Sequence, residues 1–202
     1  MKRQILDLRP TQLTLGMKEV DFRVKELLGM KVKALEKYLG ARALPVILGP
    51  KSRTFLLDHH HLARACWEAG LHELKVEVKA DFSRQSFPEL WEHLRKNHWL
   101  FTYDQWGNGP HDPIQLPQSV KCMADDPYRS LAWRVREEGG YEKVEVPFYQ
   151  FRWATFFRKE LKKHPVFDRF EEAVKEALEL CRSPAARDLP GYVSKAQSRP
   201  NK

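Results

Sequence analysis

Leu56-Leu57-Asp58-His59-His60-His61-Leu62-Ala63-Arg64 carries a strand straight into a helix whose first turn holds three histidines. Leu62, Ala65, Cys66 and Ala69 repeat at helical spacing and Gly70 follows as a stop, so the predicted helix runs over 59–69 with Asp58 at the N-cap. A helix start offers backbone N–H groups and a partial positive charge, which makes it an anion site. Imidazoles beside it add donors to a phosphate. The helix field also disfavours imidazolium, leaving a neutral histidine able to act as a base. Asp58 has three readings: it caps the helix, orients a histidine, or holds a cation near the phosphate. Successive helical residues fan out by about 100°, so the three histidines do not close on one zinc ion. His-Glu-x-x-His is absent.

Upstream, Leu44-Pro45-Val46-Ile47-Leu48 and Phe55-Leu56-Leu57 read as two strands of a hairpin around Gly49-Pro50-Lys51-Ser52. Residues 1–40 read as a short strand, a loop and a helix whose Lys33–Leu39 part ends at Gly40. Downstream, Leu74, Val76, Val78 and Ala80 alternate with Lys75, Glu77 and Lys79, the pattern of a half-buried strand. Ser86-Phe87-Pro88-Glu89 is a capping box that opens a helix to about residue 98. Residues 102–120 form a long irregular loop suited to a lid or rim. Asp126-Pro127 opens a helix that ends at Gly139-Gly140, and two more are expected over 148–162 and 166–181. The last carries a stripe of Phe167, Phe170, Val174, Leu178 and Cys181.

With 202 residues, 42% hydrophobic and 31% charged, the chain is long enough for its own core. Its 6 Trp, 6 Tyr and 11 Phe exclude a disordered chain. The apolar runs are far shorter than a membrane span, and the charged N-terminus lacks a signal-peptide core. The odd set Cys66, Cys122 and Cys181 lies far apart, which points to reduced thiols in the cytoplasm. A net charge of +8 favours anionic partners, nucleic acid or nucleotide. Part of that excess falls on a polar tail from Ser183, with Arg187, Lys195, Arg199 and Lys202 against Asp188.

The hairpin Pro45-Val46-Ile47-Leu48-Gly49-Pro50 and Phe55 to Ala63 together resemble the ParB-like nuclease family of the ParB/sulfiredoxin superfamily, in which a strand leads through Asp-Gly-His-His into this helix. Leu8-Arg9-Pro10-Thr11-Gln12, Gly16 and Glu19-Val20 match its N-terminal pattern. Asp126 to Trp133 and Phe151-Arg152-Trp153-Ala154 match more loosely. The resemblance reaches about residue 160. Asp58, His60 and His61 fall on the family's Asp and His pair, and His59 stands where the family has Gly. Partition ParB proteins read Gly-Glu-Arg-Arg here, so the glutamate and arginines of a ParB-type nucleotide clamp are missing, and sulfiredoxin has its cysteine at the position of His60, so sulfinic-acid reduction by that route is excluded.

The patterning and the resemblance together give an α+β fold: a small ParB/sulfiredoxin-like mixed sheet with helices over 1–81, a mainly helical extension packed on it over 82–182, and a basic, poorly ordered tail over 183–202. The resemblance also implies a phosphate or nucleotide pocket over the helix start. Asp58, His60 and His61 are then the catalytic candidates. Arg9, Gln12, Lys25, His59 and Arg129 are the phosphate or nucleotide contacts, with Arg23 an alternative to Lys25. Asp58 is the candidate for Mg²⁺, and a nucleoside triphosphate is a candidate cofactor. The expected function is a nuclease or an NTP-dependent phosphotransferase; the alternative is a binding module without turnover. Glu77-Val78-Lys79 imitates a metal-nuclease pattern, but alternating charges usually mark a strand's solvent face. Trp91, Trp99, Trp106, Trp133 and Trp153 suit base stacking or, more commonly, cores.

Overall fold

The structure, a computed structural model, describes residues 1–161 and 165–194. The chain folds as two units, divided between Asp125 and Asp126. The expected boundary at 81/82 therefore differs from the observed division. The physical reason is that residues 82–125 belong with the sheet: Phe82 N–H bonds to Leu48 O at 2.7 Å, and Phe101 N–H bonds to Thr11 O at 3.0 Å.

The first unit is a mixed α+β layer structure, as expected. Its strands are β1 (Lys2–Gln4), β2 (Leu8–Pro10), β4 (Leu44–Leu48), β5 (Thr54–Leu56) and β6 (Glu73–Asp81), in sheet order β1-β6-β4-β5-β2. The predicted hairpin is β4 and β5, antiparallel with Ile47 opposite Phe55. β6 runs parallel to β4, and β2 runs parallel to β5 with Arg9 opposite Phe55. β1 and β2 are neighbours in sequence, joined by a 3-10 turn at Ile5–Asp7, yet they form the two edges of the sheet. A separate parallel pair joins β3 (Thr14–Leu15) to β7 (Ala124–Asp125).

One sheet face buries Leu8, Val46 and Leu56 against α1 (Met17–Gly29), α2 (Val32–Gly40) and α3 (His60–Glu68). The other buries Ile47 and Phe55 against Leu90 and Leu94 of α4 (Phe87–Lys96), which opens with the expected Ser86/Glu89 capping box. Where one helix ending at Gly40 was expected within residues 1–40, the structure has two, α1 and α2, and Met17, Val20, Val24 and Leu27 of α1 lie at helical spacing. Gly70, at φ +83°, ends α3 in the left-handed conformation that favours glycine.

The second unit packs α5 (Pro127–Glu137), α6 (Tyr149–Glu160) and α7 (Phe170–Leu180) around Leu131, Trp153, Phe157, Val174 and Ala177. Tyr141 stacks on Trp153 at 4.2 Å between ring centroids and donates from its hydroxyl to Ala132 O at 2.8 Å. Asp126 caps α5 by accepting from Tyr128 N–H, and its other oxygen accepts from Arg158 at 2.7 Å. Phe167, expected on the buried stripe of the last helix, is 60% exposed and lies before α7 begins. Residues 183–194, expected as part of a loose tail, are packed. Ala186 is fully buried, Trp153 Nε1 donates to Pro190 O at 2.7 Å, and Glu142 N–H donates to Gly191 O at 2.8 Å. The rest of the predicted tail, 195–202, lies outside the described residues.

All three cysteines are free thiols. Burial pushes the Cys66 and Cys181 thiols up to about 12, whereas Cys122 is exposed. A maleimide reagent near pH 8 is therefore expected to label Cys122 alone in the native protein and all three after unfolding, read by mass spectrometry. Native labelling of Cys66 would contradict the packing of α3 on the sheet.

Candidate functional site

The site begins where β5 ends. Leu57 N–H is held by Pro45 O at 2.9 Å, and the chain then turns through His59 at φ 62°, ψ 28°. This left-handed geometry favours glycine, so a histidine here carries strain of roughly 1–2 kcal/mol. His59, not Asp58 as expected, is the N-cap of α3, and its side chain makes no capping bond. The physical reason is the sharp turn: Asp58 lies one residue too early, and its Oδ1 accepts instead from His59 N–H at 2.6 Å. Asp58 and His59 are both exposed.

His60 and His61 turn the other way. The His60 ring is 2% exposed. Its Nε2 accepts from Thr11 N–H at 3.2 Å, and its Nδ1 lies 3.0 Å from the Gln12 side-chain amide. A backbone N–H can only donate, so Nε2 is the unprotonated nitrogen. In the neutral ring the proton is then on Nδ1, which faces the Gln12 side-chain amide. Thr11 Oγ1 closes the arrangement by donating to Leu56 O at 2.9 Å. His61 Nε2 accepts from Gly16 N–H at 3.0 Å and stands 3.5 Å from Glu19 Oε2. Glu19, 5% exposed on α1, receives both Arg23 Nε at 3.0 Å and Arg23 Nη2 at 2.7 Å on Oε1. Burial opposes the Arg23 charge, but the Glu19 carboxylate outweighs it and raises the guanidinium above its usual value.

The start of α3 is thus latched by two imidazoles to the segment Thr11–Gly16. Of the predicted residues, the structure brings together Gln12, His60 and His61, with Asp58 and His59 on the exposed side. Arg9 sits on β2, its guanidinium bonded to Gln118. Burial and the neighbouring Arg53 charge lower its basicity. Lys25 is exposed on α1. Arg129 belongs to the second unit, where its guanidinium lies 3.8 Å above the Phe151 ring. Glu19 and the latch at Thr11 lie outside the sequence-based candidates; the helical spacing of α1 is the signal that points to Glu19, one turn from Arg23. Among the described residues no three His, Cys, Asp or Glu side chains group to hold a metal ion, and no helix is long and apolar enough to cross a membrane.

A mixed sheet whose strand turns through a left-handed residue into an Asp-x-His-His helix defines a recognisable class. The chain belongs to the family described as "Putative ParB-like nuclease", which matches residues 1–159. It is similar over 96% of both chains to protein Atu1540 from Agrobacterium tumefaciens, whose crystal structure superposes with a TM-score of 0.88 at 34% sequence identity. No curated protein matches.

Proposed function

We propose that the chain hydrolyses phosphodiester bonds of nucleic acid at the start of α3, in the cytoplasm, where its free thiols would stay reduced. The observation that carries this reading is the helix start without a side-chain cap, flanked by exposed Asp58 and His59. Backbone N–H groups there face a phosphate's non-bridging oxygens. His59 takes the proton of the attacking water, and Asp58 orients the turn through its bond to His59 N–H. His60 and His61 are positioning residues, since their nitrogens address Thr11, Gln12, Gly16 and Glu19. Asp58 offers one carboxylate. That fits an Mg²⁺ ion shared with a substrate phosphate rather than a closed protein site.

A second reading, binding of nucleic acid or a nucleoside triphosphate without turnover, is favoured by the inward engagement of His60 and His61. Cleavage of single- and double-stranded DNA and RNA, with Mg²⁺ and with EDTA, separates the two. Asp58→Ala and His59→Ala should each lower turnover by about a hundredfold or more. His59→Gly is the sharper variant. It relieves the left-handed strain, so it should raise the melting temperature while removing activity. Full turnover in His59→Gly would refute His59 as the base. Salt-sensitive binding with no product from any substrate would favour the binding module.

A further inference from the structure

Away from the α3 start, the first unit holds a cavity of about 320 Å³ whose lining includes Arg3, Arg9, Arg53, Ser52, Asp7 and Gln118. None of residues 57–61 lines it. It collects residues from both edges of the sheet, Arg3 from β1 and Arg9 from β2, with Arg53 just before β5. Three arginines and one aspartate therefore line one concave space, with the Arg53 charge close enough to act on Arg9.

Arginines drawn partly out of solvent, as these are, ordinarily find a carboxylate. These three do not: no ion pair joins Arg3, Arg9 or Arg53 to any described acidic side chain, Asp7 included. Arg9 spends one nitrogen on the neutral Gln118 oxygen, and Arg53 lies 4.9 Å over the Phe87 ring. Arg3 Nε is buried with no hydrogen-bond partner at all. A buried donor without an acceptor costs about 1–3 kcal/mol, and like charges gathered in one cavity add to that cost. An oxyanion would remove both penalties at once. Guanidiniums suit it, because their forked N–H groups match the oxygens of a phosphoryl group and stay charged at any working pH. The volume is large enough for a phosphate with its sugar rather than for a bare ion alone.

We propose that this cavity is a second phosphate site, which binds the phosphoryl group of a nucleotide or of a nucleic-acid backbone through Arg3, Arg9 and Arg53. Arg9 lies two residues before Thr11, about 7 Å along the strand, and Thr11 N–H holds His60. A substrate phosphate in the cavity and another at the α3 start would therefore lie along one short stretch of backbone. That deeper role rests on the function proposed above; the phosphate site itself does not.

The test is protection of arginines from phenylglyoxal in the full chain, mapped by mass spectrometry. The probes are inorganic phosphate, thymidine 5′-monophosphate and a 5′-phosphorylated hexathymidylate. Protection of Arg3, Arg9 and Arg53 by any of them, with exposed Arg84 unprotected, supports the site. Equal protection by mononucleotide and hexamer identifies a nucleotide as the source, and protection by the hexamer alone identifies a backbone. No protection of the three by any probe overturns the proposal. Calorimetric titration of the effective probe supplies the second reading. Arg9→Gln and Arg53→Gln should each weaken its binding about tenfold, and Arg84→Gln, outside the cavity lining, should leave it unchanged. Loss of binding in Asp58→Ala with full affinity in both arginine variants would move the phosphate to the α3 start and overturn the cavity. Loss of cleavage alone in the Asp58 and His59 variants bears only on the hydrolytic reading.

Discussion

His60→Ala is expected to lower the free energy of unfolding by about 3 kcal/mol, measured by urea denaturation with an unchanged m-value. The ring is 2% exposed and accepts from Thr11 N–H while its other nitrogen meets Gln12. Alanine strands that buried backbone donor, takes the imidazole contact away from Gln12, and opens a cavity under the turn. Any cleavage activity should fall with it, because the segment that positions the turn loses its anchor. A histidine serving only as an outward-facing base would lose activity with its stability intact. A change below about 1 kcal/mol would therefore show that the latch is not what His60 provides.

Asp126→Ala should cost the second unit about 3 kcal/mol. One carboxylate oxygen caps α5 through Tyr128 N–H, and the other holds Arg158 at 2.7 Å. The Arg158 side chain is 19% exposed and that of Asp126 is 5% exposed, so the alanine variant takes the carboxylate away from a largely buried guanidinium. Burial pushes the Asp126 carboxyl up, against the pull of Arg158 and Arg129, so desolvation already offsets part of the pair's attraction. Asp126→Asn keeps an oxygen for the cap and removes only the charge, so it should cost roughly half as much. Equal losses in both variants would show that the cap contributes nothing.

Much of the fold was legible from local patterns. The hairpin around Gly49-Pro50, the capping box at Ser86 and the Asp126-Pro127 helix start all lie within a few residues of the elements they define. What escaped depends on distance along the chain. Nothing near His60 announces that its ring points at Thr11, because the two are 49 residues apart. Arg53 reads as an appendage of a turn and Arg3 as a charged start; only the curled sheet brings them to Arg9. Residues 183–194 look like a tail because their anchors are single apolar side chains and backbone carbonyls, Ala186 and Pro190 O among them, rather than a periodic stripe. The candidate site was legible as a motif. Which face of the motif each histidine takes was not, since consecutive residues at a helix start point in different directions.

The edge strands β1 and β2 have a consequence for biosynthesis. Gln4 pairs with Glu73, which the ribosome adds 69 residues later. At about 5–20 residues per second that delay is roughly 3–14 s. During it Arg3, Arg9, Thr11 and Gln12 have no complete sheet to join, so the cavity and the latch are among the last features of the first unit to form. A nascent chain therefore owns neither one until β6 has left the translation machinery, and the N-terminal edge strand β1 waits unpaired for the interior strand that lies beside it.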